Sequence, residues 1–229
     1  NGTTGVVAFF AALHWATGET RWLERATGGA NFLIQAMNER ADALDAGLYT
    51  GLAGIGHTLQ VVGSAGGGTR YHEAAIQAFQ AVQRRQQKAG ATAGSWSESH
   101  DIISGAAGTG LGLLAAARTS GNTALVDAAR RAGHALIAAG EPALGGQMWF
   151  PATNFRRNYP NFSHGTAGVA YFLATLHQTT GDLVFLDAAL AGARYLDAVA
   201  TRTNGGTRIF HQSDGGEDRF YLSWCHGPV

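Results

Sequence analysis

Gly165-Thr166-Ala167-Gly168, running directly into Val169-Ala170-Tyr171-Phe172-Leu173-Ala174-Thr175-Leu176, is the stretch on which the reading of this chain turns. The same phrase, Gly-x-x-Gly before an apolar run, stands at Gly2-Thr3-Thr4-Gly5, Gly51-Leu52-Ala53-Gly54 and Gly105-Ala106-Ala107-Gly108, and Gly227 opens a fifth copy. Successive first glycines lie 49, 54, 60 and 62 residues apart, so the 33 glycines mark a repeat rather than a low-complexity chain. A period of this length with no strand signature predicts a helical array.

The runs after each phrase are apolar nearly all round and rich in glycine and alanine, as suits inner helices packed closely at a crowded centre. Between them lie segments of a different kind. Trp22, Leu23, Ala26, Leu33 and Met37, and later Val184, Phe185, Ala188, Ala189, Tyr195 and Leu196, recur at helical spacing among polar residues, so each segment predicts an outer helix with one buried face. Short turns join the two kinds: Thr17-Gly18-Glu19, Ser120-Gly121-Asn122 and Thr180-Gly181-Asp182, with glycine just past one helix and a polar cap before the next. The predicted fold class is all-α, an α/α toroid of repeated helical hairpins, incomplete over these residues. The expectation is one domain, 1–229, truncated at both ends. The long links 140–163 and 201–223 return on one face, where chemistry should collect.

With 16 basic against 16 acidic side chains and 45% apolar residues, the composition fits a soluble globular protein. No basic run exceeds Arg84-Arg85, which excludes the electrostatic footprint of a nucleic-acid partner. No apolar stretch approaches the ~20 residues of a membrane span. One cysteine makes no internal disulfide and suits a reducing compartment, so the expected localisation is cytoplasmic.

Aligned on the first glycine, the preceding residue reads Asn1, Thr50, Ser104, His164 and His226. An N-cap is expected there, and the first three are ordinary capping residues. Histidine is not, and departures from a local rule are where function is expected. Cys225 beside His226 has the look of a soft metal-ligand pair, although zinc takes four ligands, three of them from protein at a catalytic site. Asp101 stands four residues before Gly105, at the height of Asn161 in the next repeat. It reads either as an acceptor for loop amides or as a functional carboxylate. His14, His57 and His177 read as structural, whereas His211 lies in the final long loop.

With these residues in view, the chain resembles the lanthionine synthetase C-like family, cyclases that close thioether rings in lanthipeptides. The resemblance is carried by Gly51-Leu52-Ala53-Gly54, the segment from Asp101 to Gly108, Ser163-His164-Gly165-Thr166-Ala167-Gly168 and Trp224-Cys225-His226-Gly227-Pro228. It implies a zinc-dependent enzyme that adds peptide cysteine thiols to dehydroalanine or dehydrobutyrine. His164 and Asp101 match the family's catalytic histidine and aspartate. Cys225 matches its first zinc cysteine, and the remaining Zn2+ ligands are expected beyond Val229. His226 is the second candidate metal ligand, because Cys225-His226-Gly227 also imitates the family's later Cys-His-Gly segment. Tyr221 stands where the family tends to have an arginine, with Arg219 nearby. The implied partners are a precursor peptide and a fused or separate dehydratase or kinase domain. Two rival readings stand beside this one: a non-catalytic peptide-binding toroid, and a glycosidase whose paired carboxylates would come from Glu98, Asp101, Asp214, Glu217 and Asp218.

Overall fold

The computed structural model describes residues 2–40, 43–88, 95–213 and 215–225. They form α1 (Thr3–Thr17), α2 (Thr20–Arg40), α3 (Leu52–Val62), α4 (Thr69–Lys88), α5 (Ala106–Ser120), α6 (Thr123–Ala139), α7 (Thr166–Thr180) and α8 (Leu183–Val199). The odd-numbered helices follow the Gly-x-x-Gly phrases. Each packs antiparallel on the helix after it, and α1, α3, α5 and α7 neighbour one another in chain order as an inner layer. The predicted all-α, two-layered architecture is therefore what the chain adopts.

In the phrases before α3, α5 and α7 both glycines are required by one local device, whereas a Cβ at Gly2 or Gly5 would meet none of the described residues. Before α3, α5 and α7 the chain doubles back over the helix N-terminus and offers backbone carbonyls to its first amides. Leu52, Ala53 and Gly54 donate to the carbonyls of Asp45, Ala46 and Gly47; Ala106, Ala107 and Gly108 donate to those of Ser99, His100 and Asp101; Thr166 and Ala167 donate to those of Tyr159 and Pro160. The amides that a helix start leaves without partners are thus satisfied by main chain seven residues earlier. The returning loop lies so close that a Cβ at Gly51, Gly105 or Gly165 would strike Asp45, Asp101 or Tyr159, and one at Gly54, Gly108 or Gly168 would strike the carbonyls of Leu48, Ile102 or Phe162. This corrects the capping expectation. The helix-capping residues are Gly51, Gly105 and Gly165 themselves, with no side-chain cap, so Thr50, Ser104 and His164 are not caps.

The turns between inner and outer helices follow the prediction in three of the hairpins. Gly18, Gly121 and Gly181 are left-handed, at φ 71, 69 and 76°, and their amides close the helix ends on His14, Ala117 and His177. His14 and His177 use Nδ1 to engage the carbonyls of Glu19 and Asp182 at 3.0 Å, a structural role in both. The second hairpin differs: α3 passes into a π-helical segment, Gly63–Gly67, before α4.

Two small antiparallel hairpins, which gave no strand signature in the sequence, accompany the helices. β1 (Glu141–Ala143) pairs with β2 (Gly146–Met148), and β3 (Thr201–Thr203) with β4 (Gly206–Arg208). The first turns on Leu144 and Gly145, at φ 47 and 75°, the left-handed pair that a two-residue hairpin favours. Directly after β2, Trp149 is fully buried and its indole donates to the carbonyl of Leu136 at 2.6 Å. That anchor fixes the long link that then crosses to α7.

Burial follows position in the array. In α3, Leu52 to Gly56 are all buried, and α5 is buried along most of its length. In α1 the buried residues are Val7 and Ala11. Val6 is 54% exposed, whereas Ile55, Thr109 and Val169, at the same place in their phrases, are at most 6% exposed. Among the outer helices, α8 buries Phe185, Ala188, Ala189 and Tyr195 as predicted, but Val184 lies open.

Candidate functional site

The loops that double back over α3, α5 and α7 lie side by side and are stitched to one another. The Tyr49 amide donates to the Ile103 carbonyl at 3.0 Å, and the Ile102 amide donates to the Ser163 carbonyl at 3.1 Å. The series continues with the Ser163 hydroxyl, which donates to the carbonyl of Cys225. Because consecutive repeats present the same loop at the same height, residues far apart in sequence become neighbours.

Asp101 serves both roles that its position allowed. Its Oδ1 accepts from the amides of Ser104 and Gly105, each at 2.9 Å, and so holds the loop in front of α5. Asp45 does the same for the preceding repeat, accepting from Gly47 N and Thr50 Oγ1 at 2.8 Å, and Asn161 for the following one, accepting from His164 N at 3.0 Å. Only Asp101 turns its second oxygen across the repeat boundary: Oδ2 lies 2.8 Å from His164 Nδ1. The aspartate side chain is 7% exposed and the imidazole 33%, so a buried carboxylate carries an imidazole that reaches solvent. A carboxylate so enclosed needs strong donors, and here two amides and a ring N–H supply them. The bond also fixes the proton on Nδ1, leaving Nε2 as the ring's acceptor in the neutral form.

Cys225, half-buried, is placed by its carbonyl against Ser163, the residue before His164. Partial burial, and after it the Cys225 thiol nearby, raises the Tyr49 phenol above its ordinary value. The structure therefore gathers Asp101, His164 and the Cys225 segment on one face. His226 and Asp214 lie outside the described residues. Arg219 enters through its carbonyl, which accepts from His211 N at 2.8 Å and closes the last loop on itself. His211 packs on Tyr159 and Tyr221, with ring centroids 5.4 and 4.8 Å away, and Tyr159 in turn lies 6.4 Å from His164.

Tyr49 escaped the reading of the sequence. It occupies the place of Ile103 and Ser163, two residues before the first glycine, so the alignment that exposed His164 would have found it one position further back. His57 lines a hollow between the inner helices; its ring faces that space, yet the surrounding helices withdraw enough water to lower its pKa.

Among the described residues no three His, Cys, Asp or Glu side chains are grouped to hold a metal ion. Cys225 is the only thiol of the chain, and one thiolate does not make a zinc site. The described residues do not by themselves complete a zinc site.

No described helix is long and apolar enough to cross a membrane. No individual curated protein matches the chain. The family described as Lanthionine synthetase C-like protein matches residues 1–229, its whole length. Repeat, loop register and that match agree, and the chain belongs to the lanthionine synthetase C-like family.

Proposed function

We propose that residues 1–229 form one arc of an α/α-toroid domain that acts as a lanthipeptide cyclase, adding cysteine thiols of a precursor peptide to dehydroalanine or dehydrobutyrine. Family membership supports a role of the cyclase type. The observation that carries the finer reading is the 2.8 Å contact between Asp101 Oδ2 and His164 Nδ1, beside the Cys225 segment.

A peptide thiol has a pKa near ~8.5, so at neutral pH its addition needs a base. With Nδ1–H held by Asp101, His164 Nε2 takes the thiol proton. The sulfur then forms a bond to the β-carbon of the dehydro residue, and the π electrons move to the α-carbon and its carbonyl as an enolate. Return of the proton from Nε2 to the α-carbon completes the addition of S–H across the double bond. Asp101 stays ionised throughout and stabilises the imidazolium between the two transfers. Were Zn2+ bound on this face, Cys225 would be one of its ligands and the ion would supply a lowered thiol pKa. That ion needs at least two further protein donors, which the described residues do not provide. The precursor peptide, and a dehydratase or kinase activity that prepares it, are the partners this chemistry requires.

The test is loss of alkylatable thiol from a peptide containing one cysteine and one dehydroalanine, incubated with the full-length protein. His164→Ala should slow thiol loss about 10²- to 10⁴-fold, the span of a general acid-base group. Thiol loss at the unmodified rate in His164→Ala would sink the reading.

A further inference from the structure

Four aromatic rings form a continuous rim beside the candidate site. Tyr49 lies 5.2 Å from Trp224, Trp224 lies 5.8 Å from Phe162, and Phe162 lies 5.4 Å from Tyr171, centroid to centroid. They come from the loop before α3, the segment before Cys225, the loop before α7, and α7 itself. Three of them lie open: Tyr49 and Tyr171 are each 54% exposed and Trp224 is 39% exposed. Large rings held open in this way bury apolar area when a ligand covers them.

The rim borders an open hollow of about 500 Å³, the size of a small-ligand cleft, lined by residues of α1, α3, α5 and α7 and reached by Tyr49 and Tyr171. Thr4, Ala8, His57 and Leu111 line it too, and none of the described lining residues is Asp, Glu, Lys or Arg. His57, which burial drives toward neutral imidazole, leaves the hollow without a formal charge near neutral pH. A charged side chain entering it would lose water and find no counter-charge.

The rim is continuous with the chemistry. Trp224 precedes Cys225, and Phe162 is two residues from His164. A peptide whose thiol reaches this face would pass beside the rings, where an apolar neighbour of the cysteine could cover them. Resting on the cyclase reading and deepening it, we propose that Tyr49, Trp224, Phe162 and Tyr171 are specificity determinants that select peptides carrying an uncharged, apolar side chain next to the reacting cysteine.

The experiment measures binding without turnover. Two fluorescein-labelled hexapeptides, with serine in place of the dehydro residue and either Leu or Asp following the cysteine, are titrated into the full-length protein. The Leu peptide should bind about 10- to 100-fold tighter, the discrimination an apolar pocket achieves. The Tyr49→Ala/Tyr171→Ala protein should bring the ratio to about twofold, and Tyr49→Phe/Tyr171→Phe, which keeps the rings, should preserve it. Equal affinity of the two peptides for the unmodified protein would overturn the proposal without recourse to any variant, and so would an unchanged ratio in the double alanine protein. Because serine peptides cannot cyclise, discrimination in a protein that consumes no thiol would support the rim while removing the cyclase reading. Thiol consumption with no discrimination would do the reverse.

Discussion

Asp101 and His164 meet across a repeat boundary, 63 positions apart, with Oδ2 and Nδ1 at 2.8 Å, while the other oxygen of the same carboxylate fastens the loop that precedes α5. One side chain thus couples the architecture of the array to the proton chemistry of its rim. The two duties can be separated. Asp101→Asn keeps an oxygen for the Ser104 and Gly105 amides but removes the charge and offers His164 an N–H instead of an acceptor. It should leave the melting temperature close to that of the unmodified protein and lower turnover about 10²- to 10⁴-fold. Asp101→Ala should lose turnover as well and in addition destabilise by about 1–3 kcal/mol, since buried amides are left without a partner. Parallel melting curves and thiol-loss assays check both.

How far the sequence could be read depends on which backbone feature wrote it. The Gly-x-x-Gly phrase was legible because close approach of two chain segments admits no other residue, and that demand recurs at Gly51, Gly105 and Gly165. The reason for the phrase was not legible: the capping carbonyls of Asp45, Ser99 and Tyr159 are main-chain atoms and leave no side-chain signature. His164 therefore stood out for a reason other than the true one. Its position is free of any capping duty, and so it is open to another use. Asp101 was visible by position, whereas its second oxygen's partner could be seen only once the loops were laid side by side. The strand pairs β1–β2 and β3–β4 were missed although Leu144-Gly145-Gly146 and Asn204-Gly205-Gly206 mark their turns, because three-residue strands carry no alternation to read.

The account of the glycines predicts opposite outcomes for the same substitution. Gly165→Ala drives a methyl into the Tyr159 carbonyl and should cost more than about 3 kcal/mol or prevent folding, since the colliding atom is backbone and cannot turn aside. Gly28→Ala, on the exposed side of α2 with nothing near the added carbon, should stabilise by about 0.5–1 kcal/mol. Denaturant titration of the two variants decides the matter; a Gly165→Ala protein as stable as its parent would refute the device.

Acidification should weaken the fold through two histidines. Burial lowers the pKa of His57, and it lowers that of His100 against smaller opposing effects from the Phe150 carbonyl, Asp101 and Glu98. In each case the unfolded chain, with its pKa near 6.5, holds more protons than the folded one. The stability is thus fully present above that value and is lost as pH falls toward the lowered folded pKa. Melting temperature should therefore decline from about pH 6.5 downward. His100→Gln should flatten part of that decline, and a melting temperature constant between about pH 7 and 5 would contradict the burial of His100 and the partial desolvation of His57.

The ends of the inner layer carry the last prediction. Phe9 is 58% exposed, whereas Thr58 and Phe172, at the same place in their phrases, are at most 4% exposed, and Gly112 is buried there too. Phe172 shows what the position does: it packs against Gly110 of the helix before it in the layer, where even a Cβ would not fit. In α1 the same position, with Val6 beside it, is therefore the face on which a helix is seated elsewhere in the array. Residues 1–229 produced alone should bind the dye ANS there, and open apolar faces of this kind favour association. Phe9→Glu together with Val6→Glu should lower dye fluorescence severalfold and reduce association in analytical ultracentrifugation, with little change in melting temperature, because neither side chain is in the core. A parent protein that is monomeric and dark with ANS would show that this face is not apolar in solution, and would overturn the equivalence of the positions drawn between Phe9 and Phe172.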